Sequence, residues 1–113
     1  MPHFIIETVG TPDTPQDRQD LMRIVAETGA AQDTINPQDI KVRLYPCADA
    51  LALDGRTSFI HVTARLLAGR TFAQKDALSC DLRDALAARW PEVQSISIEI
   101  CDMDSESYRK RLI

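Results

Sequence analysis

The clearest chemical potential lies in the first residues, Met1-Pro2-His3-Phe4-Ile5-Ile6-Glu7. An initiator methionine is cut off when a small residue follows, and proline qualifies. Removal leaves Pro2 with a free secondary amine. Phe4-Ile5-Ile6 is a short apolar, branched run that reads as a strand, and a terminus paired into a sheet is held in place. A basic nitrogen fixed at a strand end is a candidate acid/base. Such a group works best with a pKa near the operating pH. Burial and nearby cations both lower an amine's pKa, because both disfavour its charged form. Cations are available: Lys41 and Arg43 alternate along one segment, and Arg70 precedes a helix. A plainer reading stays open on these residues alone. Pro2 can simply begin an edge strand, where its missing N–H costs nothing. Lys41 and Arg43 can be the solvated face of an amphipathic strand.

The other reactive residues give weaker signals. His3 and His61 have no evident third ligand, so no metal site is expected. A copper clip at the terminus would need an ionisable amide at residue 2, which proline lacks. Both histidines read as structural or supporting. Cys47, Cys80 and Cys101 are odd in number and widely spaced, which suggests neither zinc nor a disulfide framework. They read as packing residues in a reducing cytoplasm. No Ser/His/Asp triad, glycine-rich phosphate loop or paired-carboxylate motif is evident.

The elements that must position these groups follow from periodicity. A first strand is expected over 2–8. Gly10-Thr11-Pro12-Asp13 reads as a turn. Thr14 caps a helix with Pro15 at its first position, and Leu21, Ile24, Val25 and Thr28 form its buried stripe. Gly29 reads as its fraying end, and Asn36-Pro37 closes the segment. A second strand is expected over 40–45, with Ile40, Val42 and Leu44 on one face and Lys41, Arg43 and Tyr45 on the other. Asp54-Gly55 is the turn of a long connection. A third strand, 58–67, alternates Ile60, Val62, Ala64 and Leu66 with Phe59, His61, Thr63 and Arg65. Thr71 and Gln74 make a capping box for a helix buried through Leu78, Leu82, Ala85 and Leu86, ended by Trp90-Pro91. A fourth strand, 93–101, points Ile96, Ile98 and Ile100 inward, with Ser97 and Glu99 outward. A polar tail follows, with room for one last helical turn.

The order is thus β-α-β twice, a weak internal repeat. Two such units predict an α+β fold: a four-stranded mixed sheet with both helices on one face. The other face must meet solvent or a partner. The 113 residues suit one domain, 1–113. Hydrophobic residues at 44% supply one core. Net charge of −4 without a basic block argues against nucleic acid as a partner. No apolar run approaches the ~20 residues of a membrane span, and no charged-then-apolar leader suggests secretion. A cytoplasmic protein is expected.

Pro2-His3-Phe4-Ile5-Ile6-Glu7 directly after Met1 resembles the start of the 5-carboxymethyl-2-hydroxymuconate isomerases. These belong to the tautomerase superfamily, with 4-oxalocrotonate tautomerase and macrophage migration inhibitory factor. The element order resembles that family along the whole chain. The resemblance implies a homotrimer with its sheets facing inward and its active sites at subunit boundaries. It implies a cofactor-free isomerase in which the amino-terminal proline, here Pro2, carries the proton. The substrate implied is 5-carboxymethyl-2-hydroxymuconate or a similar small anionic 2-keto or 2-hydroxy acid, in homoprotocatechuate breakdown. Arg70, in Ala-Gly-Arg-Thr before the helix, matches a functional arginine of the family, and Arg43 is the next match. Lys41 stands where related isomerases carry arginine. Lysine cannot make arginine's bidentate fork with a carboxylate, so weight shifts to Arg43. The alternatives are another proline-dependent enzyme of the superfamily (a phenylpyruvate-type tautomerase, dehalogenase or decarboxylase) and a non-enzymatic binding module.

Overall fold

A computed structural model describes residues 2–113. Its elements are β1 His3–Val9, α1 Pro15–Ala30, a short 3-10 turn Pro37–Asp39, β2 Lys41–Pro46, β3 Phe59–Leu67, α2 Phe72–Arg89 and β4 Ser95–Met103. The strands form one sheet in the order β2-β1-β3-β4. β1 pairs parallel with β2, β3 pairs parallel with β4, and β1 meets β3 antiparallel. Two β-α-β units therefore join side by side, as the alternating pattern predicts.

Register sorts every strand residue to a face. Phe4 sits between Val42 and Ala64, and Ile6 between Leu44 and Val62. These residues, with Ile60, Leu66 and the isoleucines of β4, face the helices. Leu21, Val25, Leu78, Leu82 and Leu86 meet them, and residues of both halves share one core cluster. Each fully buried leucine of this kind is worth roughly 1.5–3 kcal/mol of apolar burial. The helix starts behave as the sequence indicates. The Thr14 side chain accepts from the Asp17 amide, and Thr71 and Gln74 close both bonds of the capping box.

Four details differ. Gly29 does not fray but lies buried in the last turn of α1 against Phe4, where an added Cβ would sit 2.9 Å from Phe4 Cζ. Thr28 is correspondingly only half-buried. β4 begins two residues later than expected and runs to Met103, because the Val93 amide turns back to the Trp90 carbonyl. The three cysteines are free and half-buried, outside the core cluster.

The helix-free face carries the odd positions: His3, Ile5 and Glu7 of β1, Lys41, Arg43 and Tyr45 of β2, then Thr63, Arg65, Ser97, Glu99 and their neighbours. The tail after Met103 folds back across one end of this face. It makes a single turn, with the Tyr108 amide donating to the Asp104 carbonyl at 3.1 Å.

Candidate functional site

The end of the sheet under that tail is where the sequence-derived site residues gather. Pro2 immediately precedes β1, and its side chain is fully buried. Its carbonyl accepts from the Lys41 amide at 3.1 Å. Parallel pairing of β1 with β2 thus ties Pro2 to the residue that opens β2. Antiparallel pairing brings the other end of β3, and with it Arg65 and Arg70, to the same sheet end. Lys41, His3 and Arg65 form a row across three strands, and Arg43 lies one step further along β2 on the same face.

Arg43 is half-buried, and its Nη1 lies 3.1 Å from His3 Nδ1. His3 Nε2 in turn lies 3.0 Å from the Tyr108 hydroxyl, with the two rings edge-on at 6.1 Å. A guanidinium can only donate, so Nδ1 must accept and the ring proton must sit on Nε2. His3 is then neutral. Burial, followed by the charges of Arg43 and Lys41, lowers its pKa and favours the same state.

Arg70 occupies a different position from these. It leaves the β3–α2 junction toward the helix side. Its Nη1 donates to the Leu67 carbonyl at 3.1 Å and its Nη2 to the Thr34 carbonyl at 2.8 Å. Its Nε is buried without a partner. Arg70 therefore clamps the β3–α2 junction to the connection after α1, and its charge stays at the Pro2 end of the sheet. The structure brings Lys41 and Arg43 together with His3 on the open face, and sets Arg70 on the other side of that end.

Sequence reasoning gave His3 a supporting role and missed Tyr108. The tail has no periodicity, so nothing in the sequence signals that Tyr108 returns to His3 across 105 positions. Arg65 was legible as an outward residue of its strand, and only register shows that it sits beside His3.

The far end of the open face carries a second polar group. His61 Nδ1 lies 2.6 Å from Ser97 Oγ and its Nε2 lies 3.2 Å from Glu99. The bond from His61 is the main cause that lowers the Glu99 pKa, which keeps that carboxylate ionised. The order of bonds is that of a hydrolytic triad, which the sequence did not reveal. Yet the group lies on an open sheet face with Glu99 57% exposed, and its evident effect is to tie β3 to β4. A cavity of about 340 Å³ lies beside Val9, Leu51, Thr57 and Phe59, and none of Pro2, Lys41, Arg43 and Arg70 lines it. Among the described residues, no three His, Cys, Asp or Glu side chains are grouped to hold a metal ion. No described helix is long and apolar enough to cross a membrane.

No family model matches the chain, and no curated protein matches it in sequence. Solved structures do. A protein described as Pt0534 inactivated by 2-oxo-3-pentynoate superposes with a TM-score of 0.83 at 13% identity, over 96% of this chain and 91% of that one. A symmetric trimer of wild-type fused 4-OT gives 0.77 at 18% identity, over 96% and 90%. A 5-carboxymethyl-2-hydroxymuconate isomerase from Deinococcus radiodurans R1 gives 0.74 at 23% identity, over 97% and 88%. This chain has the tautomerase fold. The likeness extends across nearly the whole chain, as the element order led one to expect.

Proposed function

We propose that this chain is a cofactor-independent isomerase or tautomerase acting on a small anionic unsaturated 2-keto or 2-hydroxy acid, with Pro2 as its acid/base. The observation that carries the reading is the placement of Pro2. On a tautomerase fold, it stands at the strand end where Lys41, Arg43, Arg65 and Arg70 also lie. In the chain as translated the nitrogen of Pro2 is a tertiary amide, whose lone pair is delocalised into the carbonyl. Loss of Met1 makes it a secondary amine. Burial and surrounding cations then favour its neutral, basic form at neutral pH.

The step is a proton transfer. The Pro2 nitrogen takes a proton from the enol oxygen or from one carbon of the acid, and the double bonds shift. The resulting ammonium returns the proton to another carbon, so nothing is oxidised or lost. Negative charge grows on the dienolate oxygen meanwhile. Arg43 and Lys41 hold the carboxylates and that developing charge, the contribution that is usually largest, while Arg70, bound to the Leu67 and Thr34 carbonyls, adds only its charge from across the sheet end. 5-Carboxymethyl-2-hydroxymuconate, a step of homoprotocatechuate breakdown, is the leading substrate within this class. The active form is a homotrimer with sites completed at subunit boundaries.

The test is proton exchange. The protein with Pro2 at its terminus should speed exchange of the C3 protons of a 2-keto acid with D2O, read by NMR. It should also ketonise 5-carboxymethyl-2-hydroxymuconate, read by ultraviolet absorbance. Neither activity above the buffer rate would leave a binding module that keeps the fold without using the amine.

A further inference from the structure

The bonds around His3 have a direction, and it leads outward. Arg43 donates to His3 Nδ1, and His3 Nε2–H donates to the Tyr108 oxygen. The phenol has one more group, its own hydrogen, and among the described residues His3 is the only hydrogen-bond partner of that hydroxyl. Each donor in such a chain polarises the next. A chain that begins at a permanent positive charge and ends in an unused O–H is suited to an anionic acceptor. The neighbourhood agrees in sign, since Lys41 and Arg65 flank His3 from the two adjoining strands.

The tail is built to hold Tyr108 there. The Ser107 hydroxyl and the Tyr108 amide both bond back to Asp104, at 2.6 Å and 3.1 Å. Lys110 pairs with Asp39 at 3.5 Å, next to the start of β2. The tail thus crosses from the end of β4 to the start of β2 and sets its tyrosine over β1. Most of the tail is exposed, whereas Tyr108 is half-buried.

We propose that Tyr108 is a substrate-binding residue whose hydroxyl, oriented by His3, donates a hydrogen bond to a carboxylate or enolate oxygen of the acid bound beside Pro2. This rests on the isomerase reading for its substrate class, but its recognition chemistry requires only a carboxylate ligand. Arg43 and His3 are positioning residues for it. Tyr108→Phe keeps the ring against His3 and removes only the O–H.

The experiment uses adipate, an unreactive dicarboxylate, titrated by calorimetry into the full-length protein and into Tyr108→Phe, with circular dichroism confirming the fold of each. Nitrogen-15 NMR of the wild type reads the His3 tautomer at pH 7. The expected result is adipate binding weakened about 10- to 100-fold in Tyr108→Phe, the worth of one charge-assisted hydrogen bond. It also includes an unprotonated, acceptor-type Nδ1 on His3. Equal adipate affinity in the two proteins, no adipate binding to the wild type, or a protonated Nδ1 would each overturn the proposal. Adipate binding that depends on Tyr108 in a protein with no isomerase activity would support this site while ruling out the reaction assigned to Pro2.

Discussion

Among single residues, those that are neutral at the Pro2 end decide what that end can do. His3 is held neutral by burial and by Arg43 and Lys41, with Arg65 and Tyr108 completing its surroundings. Its folded pKa lies below the ordinary 6.5. The unfolded chain therefore takes up a proton at His3 before the folded chain does. The stability linked to neutral His3 is fully present above about pH 6.5 and is lost as pH falls through the lower folded pKa. Urea midpoints measured at one fixed protein concentration should drop more between pH 7.5 and pH 5 for the wild type than for His3→Gln. Equal drops would mean that His3 is not held neutral. Arg70 shows what the sequence could and could not say at this scale. Its place before a capped helix was legible from Ala68-Gly69-Arg70-Thr71. Its grip on the Thr34 carbonyl was not, because that contact joins segments 36 positions apart.

At the scale of elements, the strands and helix starts were legible because local rules govern them. Alternation assigns the faces of β1 to β4, and Thr14, Pro15, Thr71 and Gln74 satisfy helix-end amides within one turn. Gly29 was misread because its role is tertiary. It lies one residue before the end of α1 and makes room there for the Phe4 ring, which is wholly buried. Gly29→Ala sets two effects against each other. Helix propensity favours alanine by roughly 1 kcal/mol. Overpacking a filled core costs about 1–3 kcal/mol, and a Cβ 2.9 Å from Phe4 Cζ places this site toward the upper end. The expected result is a net loss of about 1–2 kcal/mol, seen as a lower Tm. A raised Tm would show that Phe4 yields. The tail was the least legible element, since it has neither periodicity nor caps and is placed by contacts such as those of Tyr108 with His3 and Lys110 with Asp39.

At the scale of the molecule, the chain exposes more surface than its mass warrants. A 12.6 kDa monomer ordinarily exposes about 6,200 Å², and this one exposes 6947 Å². Leu51 and Leu53 of the β2–β3 connection stand 86% and 97% exposed, and Tyr45 and Phe72 are also open. β2 and β4 are unpaired edges, which proteins generally cover. One sheet face has no helices. The proposed homotrimer would cover these features. Sedimentation equilibrium at micromolar concentration should give three times the chain mass. A monomer throughout that range would contradict the assembly and leave the open face without its expected cover.

One assay reads whether a free Pro2 amine does the proposed chemistry. Three preparations are compared on the same keto or enol acid: one with Met1 removed and Pro2 first, Pro2→Ala with its own Met1 removed, and one with an intact amino-terminal extension. Intact mass fixes the terminus of each. The account predicts full activity in the first and reduced activity in Pro2→Ala, which offers a primary amine of different basicity. It predicts the least in the extended protein, where the nitrogen of Pro2 is an amide. Full activity in a protein whose extension is shown by mass to be intact would contradict proline catalysis outright.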